Sequence, residues 1–220
     1  MENLVQTICI AALPVIFAIT LHEAAHGYAA RHFGDPTAWQ AGRITLNPLR
    51  HIDPVGTLLV PAIILVTSYF AAGSALLFGW AKPVPVSFGR LRNPKRDMLW
   101  VAAAGPLANF AMALGWAALF KLAEWLPPNL YTLPLAKMSV TGIEINLVLM
   151  VLNLLPLPPL DGGRIAVSLL PMRQAMQFAQ LERWGFPILL VLLFTGILGT
   201  ILWPFVALFK NLIIFLFQLN

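Results

Sequence analysis

Residues 22–26 read His-Glu-Ala-Ala-His, a pattern whose side chains can do hydrolytic chemistry at a metal ion. On a helix, residues four apart share one face, about 6 Å apart along the axis, so His22 and His26 can bind one ion. Glu23 then lies beside that ion and can act as general base toward water. The same residues could also be a solvated helix end. Because the pattern ends an apolar run, where ionisable groups are costly, we favour a zinc site.

A catalytic zinc site takes three protein ligands, so a third ligand must come from elsewhere in the chain. The single cysteine, Cys9, lies several turns away on the same apolar run and is excluded. His32, His51 and the carboxylates remain, and Asp161 is the best of them. It follows a proline-rich bend at the end of another apolar run, and the two glycines after it permit unusual backbone geometry. Alone, Asp161 would be an ordinary turn or capping residue, whereas His32 and His51 are expected on surface loops.

The elements that must position these residues are apolar segments long enough to cross a membrane. Of the 220 residues, 59% are hydrophobic and 10% are charged, and the mean hydropathy is +0.80. A soluble globule needs more charge to cover its surface, so the composition excludes an ordinary soluble protein and a disordered chain. We predict one integral membrane domain over residues 1–220. Its predicted spans are 4–30, 98–126 and 138–155, followed by membrane helices in 186–219 with a break near Gly199 and Pro204.

The connecting segments carry the basic residues that orient a membrane protein. If the interrupted apolar segment 55–80 crosses the membrane, the loops on the two sides carry five and eight lysines and arginines; if it dips in and returns, they carry eleven and two. The second arrangement fits the positive-inside rule better. It predicts a re-entrant segment, an outside N-terminus, and residues 31–97 and 161–185 on the cytoplasmic side. It also explains the net charge of +5 better than a nucleic-acid-binding face does. Within the first loop, residues 41–46 give a weak signal for a short strand.

Three motifs occur in order along the chain: HEAAH at 22–26, AGPLAN at 104–109 and NLLPLPPLDGG at 153–163. With them the chain resembles the site-2 protease family of intramembrane zinc metalloproteases. The stretches NPLRHIDPVGTLLVP at 47–61 and FGWAKPVPV at 78–86 make it similar to the small members without a PDZ domain. The resemblance covers most of residues 15–170.

The resemblance implies an all-α polytopic membrane protein. It would have a three-helix catalytic core over about 4–170, a re-entrant or membrane-embedded segment, and extra C-terminal helices. It implies one Zn²⁺ per chain, held by His22, His26 and Asp161, with Glu23 as general base. Asn153 is expected near the active site, where its amide can donate to an oxyanion; otherwise it is a polar residue that bridges helices. The AGPLAN motif is expected to be architectural, because small residues let helices approach and its asparagine can hydrogen-bond across them.

The activity implied is hydrolysis of peptide bonds in or near transmembrane segments of membrane proteins, in regulated intramembrane proteolysis. The expected partners are a substrate helix, the lipid bilayer and, as an open possibility, a regulatory membrane protein. The expected location is the cell (inner or plasma) membrane, with several spans and the active site toward the cytoplasmic side. Two alternatives remain open. One is a transporter or channel that uses the buried polar groups as an ion site; the other is an inactive, protease-like scaffold.

Overall fold

The computed structural model describes residues 4–72 and 79–219, which are largely helical and contain no β-strand. The predicted all-α class is therefore confirmed. The helices of these ranges are α1 (Leu4–His32), α2 (Thr37–Gln40), α3 (Val60–Ala72), α4 (Pro94–Trp125), α5 (Thr132–Leu154), α6 (Asp161–Leu169), α7 (Met172–Ala179), α8 (Glu182–Phe194) and α9 (Ile197–Phe217). A π-helix at Pro54–Leu59 precedes α3.

Four helices are long and apolar enough to cross a membrane: α4, α5, α9 and the part of α1 from Cys9 to His32. The first three predicted spans agree with α1, α4 and α5 to within about six residues. The predicted break within 186–219 exists, but it lies at Gly196, three residues before Gly199, and not at Pro204. The chain turns at Gly196, whose φ of 75° lies in the left-handed region that glycine adopts easily, and Pro204 lies inside α9. The preceding helix α8 has 13 residues, about 20 Å of rise, and is too short to span.

Helices α1, α4 and α5 pack against one another and form the core that carries the predicted motifs. Their contacts use buried small residues, which let the helix backbones approach closely. Examples on α1 and α4 are Ala18, Ala24, Ala102, Ala113 and Ala117. Helix α9 joins the same apolar core through Leu198, Leu202, Val206 and Ile213.

The two described ends of residues 54–80 lie side by side. The Trp80 N–H donates to the Gly56 carbonyl over 3.0 Å, and the Thr57 hydroxyl donates to the Trp80 carbonyl over 3.0 Å. Between them, α3 rises only about 20 Å in 13 residues. A segment whose two ends are joined in this way fits the predicted re-entrant arrangement and not a single crossing.

Residues 41–46 form turns in place of the weakly predicted strand. The Arg43 N–H donates to the Ala38 carbonyl over 2.9 Å and so closes the turn after α2. The Arg43 side chain is buried, and its Nη2 donates to the Lys82 carbonyl over 2.8 Å. The Arg43 N–H is thus used inside the turn and is not available for hydrogen bonds to a neighbouring strand.

Residues 79–87 form an irregular segment, which we call the strap, that is tied to the core at both ends. Near its start, the Lys82 N–H donates to the His51 carbonyl over 2.9 Å. At its end, the Ser87 N–H donates to Asp35 Oδ2 over 2.5 Å. Burial of Asp35 would raise the pKa of this carboxyl, but the hydrogen bonds from Thr37 and Ser87 outweigh it and lower the pKa. Asp35 therefore stays ionised at neutral pH and keeps the strap attached.

Candidate metal centre

Two helices and a turn bring the predicted metal ligands together. His22 and His26 lie one turn apart on α1, facing the core, and Asp161 is the first residue of α6. All three side chains are buried, each residue being less than 9% exposed. Within the described residues they form the one group of His, Cys, Asp or Glu side chains that could hold a metal ion.

The ligand atoms of this group lie at separations that suit one small cation. The Nε2 atoms of His22 and His26 are 3.1 Å apart, and each is 3.2 Å from Asp161 Oδ2. Ligands about 2.0–2.1 Å from a tetrahedral zinc ion lie about 3.3 Å from one another. The observed triangle is therefore close to one face of such a coordination sphere.

The hydrogen bonds on the far side of each ring fix which nitrogen faces the site. His26 Nδ1 lies 2.7 Å from the Val101 carbonyl, which can only accept, so Nδ1 carries the hydrogen. His22 Nδ1 lies 2.5 Å from Asn109 Oδ1, and the other end of this amide donates to the Ala18 carbonyl over 3.2 Å. Both rings are thus held with an Nε2 lone pair toward Asp161. Three converging lone pairs in a buried site repel one another without a cation, so this donor set fits a bound zinc ion.

Gly105 of α4 forms the wall behind these nitrogens. A Cβ built on Gly105 would overlap Nε2 of His26 and lie 2.6 Å from Nε2 of His22. Glycine is therefore needed at this position, because any side chain would fill the space where the ion binds. The sequence predicted that small residues of the AGPLAN motif let helices approach closely. Gly105 does allow a close approach, but to the candidate metal centre itself.

The two glycines after Asp161 act through space and not through unusual dihedral angles. Neither has a positive φ, so the conformational reason given from the sequence was wrong. A Cβ on Gly162 would overlap the carbonyls of Leu154 and Leu155, and one on Gly163 would overlap the backbone at Pro158. These glycines let α6 begin directly against the end of α5, which places the Asp161 carboxylate beside α1.

The charge of Asp161 suits a metal ligand. The carboxylate lies at the N-terminus of α6, where the helix dipole favours negative charge. Asp161 is therefore an anionic donor at neutral pH.

Glu23 lies beside the cluster and is oriented by the strap. Its Oε2 accepts the Val84 N–H over 2.7 Å, and the side chain is half-buried. Among the described residues no group bonds its other oxygen, Oε1. The carboxylate is thus held at one oxygen and available at the other, as a general base requires.

The remaining predicted residues lie outside this cluster. Asn153 Nδ2 donates to the Leu149 carbonyl one turn back over 3.0 Å, and the described residues give it no hydrogen bond to the ligands. Its catalytic role stays a prediction. His32 is exposed, as expected for a loop histidine, but His51 is buried, against expectation, and its Nε2 lies 2.9 Å from the Thr45 carbonyl.

Sequence reasoning missed the contact of Val84 with the base and the contact of Asn109 with His22. The first uses a backbone N–H, which no residue type reveals. The second had a signal: an asparagine four residues after Gly105 faces the same side of α4, and a metal-binding imidazole needs an acceptor for its second nitrogen.

Comparisons with known proteins give consistent matches. The profile of peptidase family M50 matches residues 129–196. "Putative zinc metalloprotease YwhC" of Bacillus subtilis (strain 168) is 38% identical over 209 residues, which are 94% of this chain and 90% of that protein. "Putative zinc metalloprotease Rip2" of Mycolicibacterium smegmatis is 32% identical over 185 residues, 84% of this chain and 66% of that protein. No solved structure gives a significant match.

Proposed function

This chain belongs to peptidase family M50, the site-2 protease family, and is a metalloprotease; we propose that it hydrolyses peptide bonds in or near transmembrane segments of membrane proteins. The observation that carries the proposal is the convergence of His22, His26 and Asp161, with Glu23 beside them, among helices long enough to cross a membrane. A transporter has no need of a general base next to a three-ligand metal centre. The complete set of ligands and base also argues against an inactive scaffold.

His22, His26 and Asp161 would hold one Zn²⁺ per chain. When bound, the ion would supply Lewis-acid chemistry, polarising the scissile carbonyl and lowering the pKa of water to about 7. The protein's own part is to keep the three donor atoms together in a buried site and to present Glu23 next to them.

Glu23 is the proposed general base and, afterwards, the general acid. The Val84 N–H holds Oε2, so the carboxylate can take the proton of the attacking water at Oε1 and later deliver it to the leaving amine. Asn153 is retained as a candidate for the group that donates to the developing oxyanion.

The strap is the proposed place where an unwound substrate is held. A transmembrane helix hides its carbonyls in its own hydrogen bonds, so it must unwind before cleavage. Pro83 and Pro85 have no N–H and keep the residues before them extended, which directs the N–H groups of Val84 and Val86 to one side. Val84 uses its N–H on Glu23, whereas that of Val86 has no partner among the described residues. One edge beside the base is thus open to pairing with a substrate strand.

A cavity supports this placement. It has a volume of about 470 Å³ and lies between the strap and the start of α6. Its lining includes Val84 and Val86 on one side and Pro158, Gly163 and Arg164 on the other. Because it is bordered both by the residue that holds the base and by the turn that carries Asp161, a peptide in it would pass next to the metal centre.

The test is cleavage in a reconstituted membrane. Purified protein in phospholipid vesicles, with a single-pass model substrate, should produce new termini inside the apolar segment, mapped by mass spectrometry. A zinc chelator should stop cleavage and added zinc restore it, while His22→Ala should be inactive and contain no zinc. Cleavage that is insensitive to chelation, or that occurs only in soluble parts of the substrate, would refute the proposal.

We also propose that this multi-pass protein lies in the cell (inner or plasma) membrane with its active site facing the cytoplasm. There it would act in regulated intramembrane proteolysis, with a membrane-protein substrate and a regulatory membrane partner. The support for this orientation is the distribution of lysines and arginines.

Cysteine labelling checks the orientation. In a Cys9→Ser background, a membrane-impermeant thiol reagent on intact cells should leave Phe88→Cys unlabelled. The matched control is Asn129→Cys, in the exposed turn between α4 and α5, which should be labelled. Labelling of position 88 from outside would reverse the orientation.

A further inference from the structure

We propose that Asn146 on α5 is a positioning residue for the metal centre, acting through Asn109 on α4 to fix the ring of His22. The inference rests on the proposed zinc site. Asn146 belongs to none of the three sequence motifs, and it has no contact with the ligands themselves. It reaches them through a chain of buried amides.

The chain of hydrogen bonds is continuous across three helices. The Asn146 Nδ2 donates to the Gly142 carbonyl over 2.8 Å. The Asn109 Nδ2 donates to Asn146 Oδ1 over 3.0 Å, and His22 Nδ1 lies 2.5 Å from Asn109 Oδ1. Helices α5, α4 and α1 are therefore linked, in this order, to one of the three donor atoms.

The direction of every bond is set by a backbone carbonyl. The Gly142 carbonyl can only accept, so Asn146 must turn its NH₂ there and present Oδ1 to Asn109. The Ala18 carbonyl and Asn146 Oδ1 likewise hold the NH₂ of Asn109 and turn its Oδ1 toward His22. His22 must then donate from Nδ1, which leaves the lone pair of Nε2 for the metal ion.

Burial makes the chain sensitive to the loss of one member. Both asparagines are 0% exposed, so no solvent reaches the amides to replace a lost partner. Without Asn146 Oδ1, only the Ala18 carbonyl is left to orient the Asn109 amide. If the amide then rotates by 180°, its NH₂ faces the N–H of His22, and the hydrogen bond between them is lost. Outer partners of metal-binding histidines commonly account for 10- to 100-fold in metal affinity.

The two histidines differ in this respect. His26 is oriented by the Val101 carbonyl, a backbone group present whatever the side chain. His22 is oriented only through side chains. The orientation of one ligand is therefore independent of residue type, whereas that of the other depends on Asn109 and Asn146.

The experiment measures zinc affinity by competition with a chromophoric chelator, which needs no proteolysis. Asn146→Ser keeps a hydroxyl for the Gly142 carbonyl but is too short to reach Asn109, and it should weaken zinc binding to the folded protein about 10- to 100-fold. Asn146→Asp keeps the accepting oxygen; an unpaired buried charge is too costly, so the neutral carboxyl should donate its O–H to the Gly142 carbonyl and keep the affinity near the wild type. The matched control is Ser139→Ala, at another fully buried polar residue of α5, whose Oγ has no hydrogen-bond partner among the described residues; its zinc affinity should not change.

The outcomes separate the two hypotheses. A wild-type protein that binds no zinc would sink the proposed function. A wild type that binds zinc, with the Asn146 variants equally tight, would refute the positioning role alone. If a water molecule fills the gap left by serine, Asn146→Leu, which excludes it, gives the same comparison, and equal affinity in both variants overturns the inference.

Discussion

Replacing Glu23 with glutamine should lower the rate of peptide cleavage about 10²- to 10⁴-fold while zinc stays bound. The amide has the same length and can still accept the Val84 N–H, so the local geometry is kept. It cannot take a proton from water, so only the acid–base chemistry is lost. Turnover of the model substrate and metal content per chain are the two measurements.

Asp53→Asn is the matched control for this change from carboxylate to amide. Asp53 caps the π-helix through the N–H groups of Val55 and Gly56, which an asparagine oxygen can accept equally well. Its activity should stay near wild type. Wild-type turnover in Glu23→Gln would show that another group is the base, whereas loss of zinc would show that Glu23 has a structural role.

Replacing Gly105 with alanine should remove both zinc and activity. The new methyl group would overlap the metal-binding nitrogens of His22 and His26, in a site where neither ring has room to retreat without losing its bond to Asn109 or Val101. We expect less than a tenth of the wild-type zinc content and cleavage below detection. Metal analysis and the vesicle assay measure the two effects.

Gly115→Ala on the same helix is the control. A Cβ at Gly115 meets nothing within 4 Å, so the substitution should leave zinc and activity unchanged. Alanine in a helix is favoured over glycine by about 1 kcal/mol, so the helix itself should lose nothing in either variant. A Gly105→Ala protein with full zinc content would mean that the ligands sit farther from α4 than the structure places them.

The elements that sequence could predict are those fixed by local pattern. The spans follow from apolar length, and the pairing of His22 with His26 follows from helical periodicity. Asp161 was reached by asking what completes a two-histidine site. The break was predicted a few residues too late because Gly199 and Pro204, three and eight residues after Gly196, gave the same kind of signal, and packing against α4 and α5 keeps α9 helical through both.

What the sequence could not predict depends on contacts between distant segments. The Val84 N–H reaches Glu23 across 61 positions of the chain, and Asn146 reaches Asn109 across 37. His51 was expected on a surface loop, yet the strap packs against it and it is buried. Such contacts depend on which helices pack together. Neither the composition nor the periodicity of the apolar residues specifies that packing.

A main-chain group, the Val84 N–H, makes the bond between the strap and Glu23, the proposed general base. The orientation of the base and the contacts with a substrate can therefore depend on different groups of the strap. Any amino acid except proline can supply the N–H at position 84, so the bond to Glu23 does not itself depend on the side chain there, although the Val84 side chain is buried in the core. Val84 and the half-buried Val86 line the cavity between the strap and the start of α6. With the substrate placed there as we propose, substrate preference can be altered at Val86 while the main-chain bond to Glu23 is kept.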